Sequence, residues 1–315
     1  MFFSYMGTRF AGVQKQAQCI TVQGVLDNVF CVLLQAQPSD IRSAVSSRTD
    51  SGVHALENSA IVEIPAHRKG LLGLRPPYDL SAMRRALNQL LIELGLEVRV
   101  KRLEEVAPGF CAQRHALGRR YTYRLAVLRQ SLGISADAAL PIFEWDRAWA
   151  VEADFDPLRA AHFATLLRGR HNFASFMGQP SDPRAQIKRS TERTLSRLDL
   201  ETGRPILDLD PAAAERFQFF DLRVESKGFL YQQVRRLTSA IVAGGRGLIG
   251  EEDVKWMLAN PSPSSWARIE AQLAPPGGLF LQRVVYDEKH FTDPPPLRVG
   301  KVTAADDAPA DEDDA

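Results

Sequence analysis

The chain has 315 residues, 45% of them apolar and 24% charged, with 39 Lys and Arg against 38 Asp and Glu and a formal net charge of +1. That balance excludes a disordered polyelectrolyte, a collagen-like fibre and a disulfide-stapled miniprotein, each of which needs a skewed composition. The length predicts about two domains. No stretch approaches the roughly 18 apolar residues of a membrane span, and Met1-Phe2-Phe3-Ser4-Tyr5 lacks the parts of a signal peptide, so a soluble, intracellular protein is expected. Cys19, Cys31 and Cys111 are odd in number and form no CxxC pair, which reads as buried thiols in a reducing compartment.

In chain order, Thr21 followed by Val22, Val25, Leu26, Val29, Phe30, Leu33 and Leu34 predicts a capped helix that ends before Pro38. Ser59 to Ile64 reads as a strand. Ser81 opens a second helix with Leu87, Leu90, Leu91 and Leu94 on one face and Gly95 as its stop. Strands are expected at Glu97 to Leu103, Arg119 to Leu128, Phe217 to Val224 and Leu279 to Tyr286, and helices at Leu158 to Leu167 and Tyr231 to Ala243. The Gly and Pro punctuation at 202–211 and 260–278 marks loops. Such an order predicts a mixed sheet with helices packed on it. Residues 301–315 set Lys301 against six acids, a net of −5, without an aromatic. They read as a disordered acidic extension of a mildly basic body.

Three segments are basic: Phe110 to Arg124 with Arg114, Arg119, Arg120 and Arg124; Arg184 to Arg197 with Arg184, Lys188, Arg189, Arg193 and Arg197 against Glu192; and Ser226 to Arg246 with Lys227, Arg235, Arg236 and Arg246. Brought to one face they would attract a phosphate backbone; left apart they are solvated surfaces. Strand alternation sends Arg119, Tyr121 and Tyr123 to one side, where a ring beside a guanidinium suits a splayed RNA base, although two tyrosines on one face also suit a core. Ser46-Ser47-Arg48-Thr49-Asp50-Ser51-Gly52-Val53-His54-Ala55 is a polar loop around a glycine, which by itself reads as a turn or a helix cap.

Arg48-Thr49-Asp50-Ser51-Gly52-Val53-His54-Ala55 resembles the catalytic loop of the tRNA pseudouridine synthase A family, in which Ala usually stands at position 51. Five further stretches are similar to that family in its own order: Tyr5 to Gln14, Arg119 to Arg124, His171 to Phe176, Gly228 to Arg236 and Gly278 to Leu281. Met6 and Val13 depart from the family's Asp and Trp. Arg-Thr-Asp-Ser and Phe-Leu-Tyr-Gln-Gln-Val-Arg-Arg resemble the animal pseudouridine synthase-like branch, often linked to mitochondria, so mitochondrion or cytoplasm is expected, with a targeting segment absent from this chain.

The resemblance implies an α+β pseudouridine synthase fold: a mixed, mainly antiparallel sheet flanked by helices, in two similar halves around a basic cleft. Residues 1–107 would form the half with the catalytic loop, 108–293 the half with the RNA cleft and the arginine partner, and 294–315 the acidic tail. It also implies isomerisation of uridine to pseudouridine in tRNA, in the anticodon stem-loop region, without a cofactor or a metal. The uracil leaves C1′, turns and rejoins through C5. Asp50 would be the catalytic carboxylate, as nucleophile or as base at the sugar. Arg235 would pair with it, and Tyr121 would stack under the extruded base. Arg48 would fill the vacated stack, while Arg119, Arg120, Arg189 and Arg193 would contact RNA. Gly52 and His54 would shape the loop, and a homodimer is implied. A non-catalytic RNA-binding protein on the same fold remains the alternative, and a hydrolase using Ser47, Asp50 and His54 lacks a nucleophile elbow.

Overall fold

Thr21 turns the first apolar stripe into a helix by accepting a hydrogen bond from the Gly24 amide, and Gln35 in a left-handed conformation ends it. This is seen in a computed structural model, in which residues 1–65, 70–71, 74–179, 190–207, 210–269 and 271–297 are described. The elements up to the middle of the chain are β1 (Phe2–Tyr5), α1 (Val22–Leu34), β2 (Arg42–Val45), β3 (His54–Glu63), α2 (Leu80–Glu93), β4 (Val98–Arg102) and β5 (Gly118–Leu128). There follow α3 (Ala136–Ala139), β6 (Trp149–Val151), α4 (Pro157–Leu167), β7 (Gly169–Asn172), β8 (Glu192–Thr202), α5 (Pro211–Arg216) and β9 (Phe217–Ser226). The chain closes with α6 (Gln233–Gly245), α7 (Glu251–Ala259), β10 (Leu279–Val285) and α8 (Lys289–Thr292). This is the mixed, mainly antiparallel sheet flanked by helices that the resemblance implies.

The described residues fold as two compact units, one of those within Met1–Arg119 and from Leu281 to residue 297, the other of those within Arg120–Phe280. In the first, the strand order is β4-β1-β3-β10, with β2 also on β3. β1 runs antiparallel to both β3 (Phe2 opposite Ser59, Tyr5 opposite Ala55) and β4 (Phe3 opposite Val100). β2 pairs antiparallel with β3, Val45 opposite Ala60, so the eight residues between them, Ser46 to Val53, leave the sheet at one end. Asn88 on α2 extends the β4 edge, donating to the Val100 carbonyl and accepting its amide, both at 2.8 Å. Val22, Leu26, Val29, Phe30, Leu33 and Leu34 of α1 are buried, each contributing about 1.5–3 kcal/mol.

The second unit has the order β5-β9-β8-β7, with β6 parallel to β5 and β8 antiparallel to both neighbours. Its strand β8 has no counterpart among the expected elements. The cap of α2 is Asp79, which accepts from the Ser81 and Ala82 amides, rather than Ser81 itself; a carboxylate two residues upstream reaches both orphan donors. Cys19 is exposed and Cys31 and Cys111 are half-buried, which corrects the expectation of buried thiols: Cys19 lies in the polar turn before Thr21, outside the apolar stripe. Arg189, most of the acidic tail and the segment 180–189 fall outside the described residues.

Candidate active site

The polar loop owes its shape to a closed hydrogen-bond circuit. The Val53 amide donates to the Asp50 carbonyl at 3.2 Å, closing a turn in which Gly52 takes φ +78°, a conformation that glycine adopts without strain. Ser46 leads into that turn, its Oγ 2.7 Å from Ser59 Oγ, which lies 2.8 Å from the Tyr286 hydroxyl. Tyr286 donates to the Ala112 carbonyl at 2.5 Å, so donation runs in one direction, Ser46 to Ser59 to Tyr286 to Ala112. Burial, ahead of every other influence, pushes the Tyr286 phenol up from its ordinary value, which keeps that proton in place.

Asn58 holds the middle of the loop. It is fully buried; its Nδ2 donates to the Ser47 carbonyl at 2.9 Å and to the Tyr5 hydroxyl at 3.3 Å, while Oδ1 accepts the Ser59 amide at 2.8 Å. Tyr5, which accepts from Asn58, shares a second hydrogen bond with Thr49 Oγ1, 2.7 Å away. From the N-terminal side, the Val13 amide donates to the Thr49 carbonyl at 3.2 Å and Ser51 Oγ to the Phe10 carbonyl at 3.1 Å. Val13, where the family has Trp, is completely buried. Gly7 passes so close that a Cβ there would meet the Val53 carbonyl oxygen at 2.0 Å. Its amide donates to His54 Nδ1 at 2.9 Å, and His54 has no exposure. That histidine is an acceptor built into the loop, in line with a shaping role.

The result is a loop with a buried base and an open crest: Ser46, Ser47 and Thr49 are buried, Asp50 is half-buried, and Arg48 and Ser51 are exposed. Arg119 belongs to the support, its Nη2 donating to the Ser46 carbonyl at 2.8 Å and the Gln113 carbonyl at 3.0 Å.

In the second unit, Tyr121 lies on β5 with 7% exposure, its ring edge-on to Phe229 at 5.2 Å. Two residues on, Tyr123 is fully buried and donates to the Pro275 carbonyl at 2.6 Å; burial drives its phenol well up, with Arg235 acting in the opposite sense. Arg235 rises from α6 and donates Nε to the Ala274 carbonyl at 2.8 Å. Tyr123 and Arg235 therefore meet around residues 274–275, with Tyr121 two residues from Tyr123 on β5 and Phe229 in the segment before α6. Arg120 is exposed and 3.3 Å from Glu225. Arg193 Nη1 binds the carbonyls of Ser190 and Glu192, each at 2.7 Å.

The sequence reading missed Tyr5, Asn58 and Tyr286. Asn58 sits between Glu57 and Ser59 in its strand, so it carried no distinct local signal. Its partner Tyr5 lies 53 residues away in sequence, and Tyr286 lies 227 residues from its own partner Ser59.

Comparison with known proteins gives the loop its context. A family pattern described as tRNA pseudouridine synthase matches residues 163–287. The chain is 33% identical over 290 residues to tRNA pseudouridine synthase-like 1 of Homo sapiens, covering 91% of this chain and 89% of that protein. The Mus musculus protein of the same name is 34% identical over 291 residues, covering 91% and 93%. It is also 29% identical over 308 residues to tRNA pseudouridine synthase A of Agrobacterium fabrum, covering 98% of both chains. A relationship of that extent, running through both the braced Asp50 loop and the Tyr121 and Arg235 segments, places the chain in the tRNA pseudouridine synthase A family.

Proposed function

We propose that this protein isomerises uridine to pseudouridine in tRNA, with Asp50 as its catalytic carboxylate. The carrying observation is the loop itself: a half-buried carboxylate on the crest of a turn braced by hydrogen bonds at Ser47, Thr49 and Ser51, in a chain related along nine-tenths of its length to tRNA pseudouridine synthases. In the reaction the N1–C1′ bond breaks, a C5–C1′ bond forms and the proton on C5 departs. Nothing is oxidised, reduced or hydrolysed, so the chemistry needs a positioned carboxylate and a held base rather than a redox carrier.

By the family motifs, Arg235 is the guanidinium that keeps Asp50 ionised against desolvation. Tyr121 is the ring on which the extruded uracil stacks, returning about 1–3 kcal/mol of the unstacking cost. Arg48, exposed beside Asp50, suits filling the gap left in the RNA. Arg120, Arg189 and Arg193 are proposed phosphate contacts. The brace that Arg119 gives to Ser46 supports a positioning role for it. The anticodon stem-loop is the proposed target region, a homodimer the proposed assembly, and the mitochondrion or cytoplasm the proposed compartment. No helix among the described residues is long and apolar enough to cross a membrane.

Tritium release from tRNA transcripts labelled at uridine C5 tests the proposal. The wild-type chain is expected to release label and Asp50→Asn to release none while still binding the transcript. Label release by Asp50→Asn at the wild-type rate would remove Asp50 from the chemistry. Binding without release by the wild-type chain would leave the non-catalytic RNA-binding reading.

A further inference from the structure

Arg236 is the one of the paired arginines on α6 that the proposed chemistry does not use. Successive residues on a helix point about 100° apart, so while Arg235 faces the Ala274 carbonyl, Arg236 turns elsewhere and lays its guanidinium on the indole of Trp266, 4.6 Å from the ring centroid. Trp266 is fixed in turn by an edge-on contact with fully buried Phe176, centroids 6.3 Å apart.

The guanidinium is poorly satisfied. Nε and Nη1 are buried and have no hydrogen-bond partner among the described residues. Buried donors on a charged group are nearly always matched, and an unmatched one carries its full desolvation cost. Burial lowers the pKa of Arg236, and the group that acts against this is the phenol of Tyr231, not a carboxylate. The cation–π contact offsets part of the cost but supplies no acceptor in the plane where the N–H groups point. Tyr231 is 50% exposed and the Arg236 side chain keeps partial exposure, so the shelf borders solvent although Nε and Nη1 themselves lie beneath its surface. The first turn of α6 adds its positive end, without a side-chain cap from Gln232.

We propose that Arg236, held flat by Trp266, is a binding residue for a phosphodiester of the RNA substrate, which supplies acceptor oxygens to a guanidinium whose Nε and Nη1 have none among the described residues. The inference rests on the proposed RNA-modifying function and adds a contact beside the residues that function already uses. A phosphate fits because its oxygens accept two parallel N–H bonds from one guanidinium. The arrangement also predicts opposite effects on stability and on binding: the cation costs the free protein stability and gives the complex affinity.

Arg236→Met and Arg236→Lys, measured with unmodified tRNA transcripts, test this. For Arg236→Met the thermal midpoint of the free protein is expected to stay equal or rise, and the KM for tRNA to rise about tenfold with the loss falling on KM rather than kcat. The slope of log affinity against log salt should flatten by about 0.7–0.9, as for one phosphate contact. Arg236→Lys keeps the charge without the fork and should recover the salt slope but not all of the affinity. A lower midpoint or a failure to fold in Arg236→Met would make the stack structural and overturn the proposal, as would unchanged affinity with an unchanged salt slope. If the wild-type chain binds tRNA through Arg236 yet releases no tritium, the catalytic reading falls and the phosphate contact stands. If it releases tritium with Arg236→Met unaltered, the reverse holds.

Discussion

Asn58 and Tyr5 brace the polar loop, because Asn58 holds the Ser47 carbonyl and the Tyr5 hydroxyl, which in turn is bonded to Thr49. Replacing Tyr5 by Phe removes the hydroxyl that joins Asn58 to Thr49 and leaves Thr49 Oγ1 buried with that bond gone, a cost of about 1–2 kcal/mol. Asn58→Leu removes one hydrogen bond from each of the Ser47 carbonyl, the Tyr5 hydroxyl and the Ser59 amide, which should cost about 3 kcal/mol or more. Both changes let residues 47–50 drift, and since a displacement of about 1 Å can cost a hundredfold in rate, kcat should fall in each while the KM for tRNA holds. The two losses should be less than additive, because both remove the same Asn58–Tyr5 bond. Denaturant midpoints and single-turnover rates for both single variants and the double variant check this. An unchanged kcat in Asn58→Leu would mean that the loop keeps its shape without the amide.

At the level of elements, legibility in the sequence followed periodicity. The stripe after Thr21, the Leu-rich face of α2 and β9 each bury one face, while the apolar runs of β5 and β10 bury consecutive residues, and that burial is the pattern a sequence displays. Strand β8 hid because its outward face is charged: Arg197 pairs with Asp199 at 3.1 Å, with Glu201 and with Glu225 at 3.7 Å, leaving only Leu195 and Leu198 as fully inward apolar residues. Read linearly, Arg197 belongs to a basic segment; in the folded strand it is paired with two acids of β8 and with Glu225 of β9. The site was legible to the extent that a contiguous motif carried it, and the supports from Tyr5, Asn58, Arg119 and Tyr286 were not, since long-range hydrogen bonds leave no local period.

Helix α1 carries a related hidden cost in Asp27, which is 6% exposed. Burial raises its pKa, opposed by the Ser43 hydroxyl at 2.6 Å and by Lys15 at 3.8 Å. Its folded value lies above its unfolded one, so the folded form holds the proton longer, and stability is lost as pH rises through the carboxylate range toward that folded value. Asp27→Asn keeps an acceptor for Ser43 and should raise the thermal midpoint at neutral pH, the gain vanishing below the carboxylate range. A gain that persisted in acid would assign the effect to packing.

For the molecule as a whole, charge is distributed against its average. Arg124 sits in a buried pair with Glu144 at 2.8 Å, Arg246 binds Asp154 at 2.7 and 3.0 Å, and Arg223 binds Asp221 at 2.8 Å, so much of the basic count inside the second unit is already answered by acid. The cations left for a polyanion are fewer than composition suggests, and the acidic residues after Lys301 oppose them further. Residues 301–315 carry a net of −5, and the first 300 residues alone carry +6. A chain ending at Gly300 should therefore bind tRNA more tightly at low ionic strength, chiefly through a faster association rate, because long-range attraction acts on encounter more than on the docked complex. The difference should shrink as salt shortens the screening length to less than about 10 Å. Association rates for the full and shortened chains across a salt series decide it. Equal rates at low salt would show that the acidic residues lie beyond electrostatic reach of the RNA face.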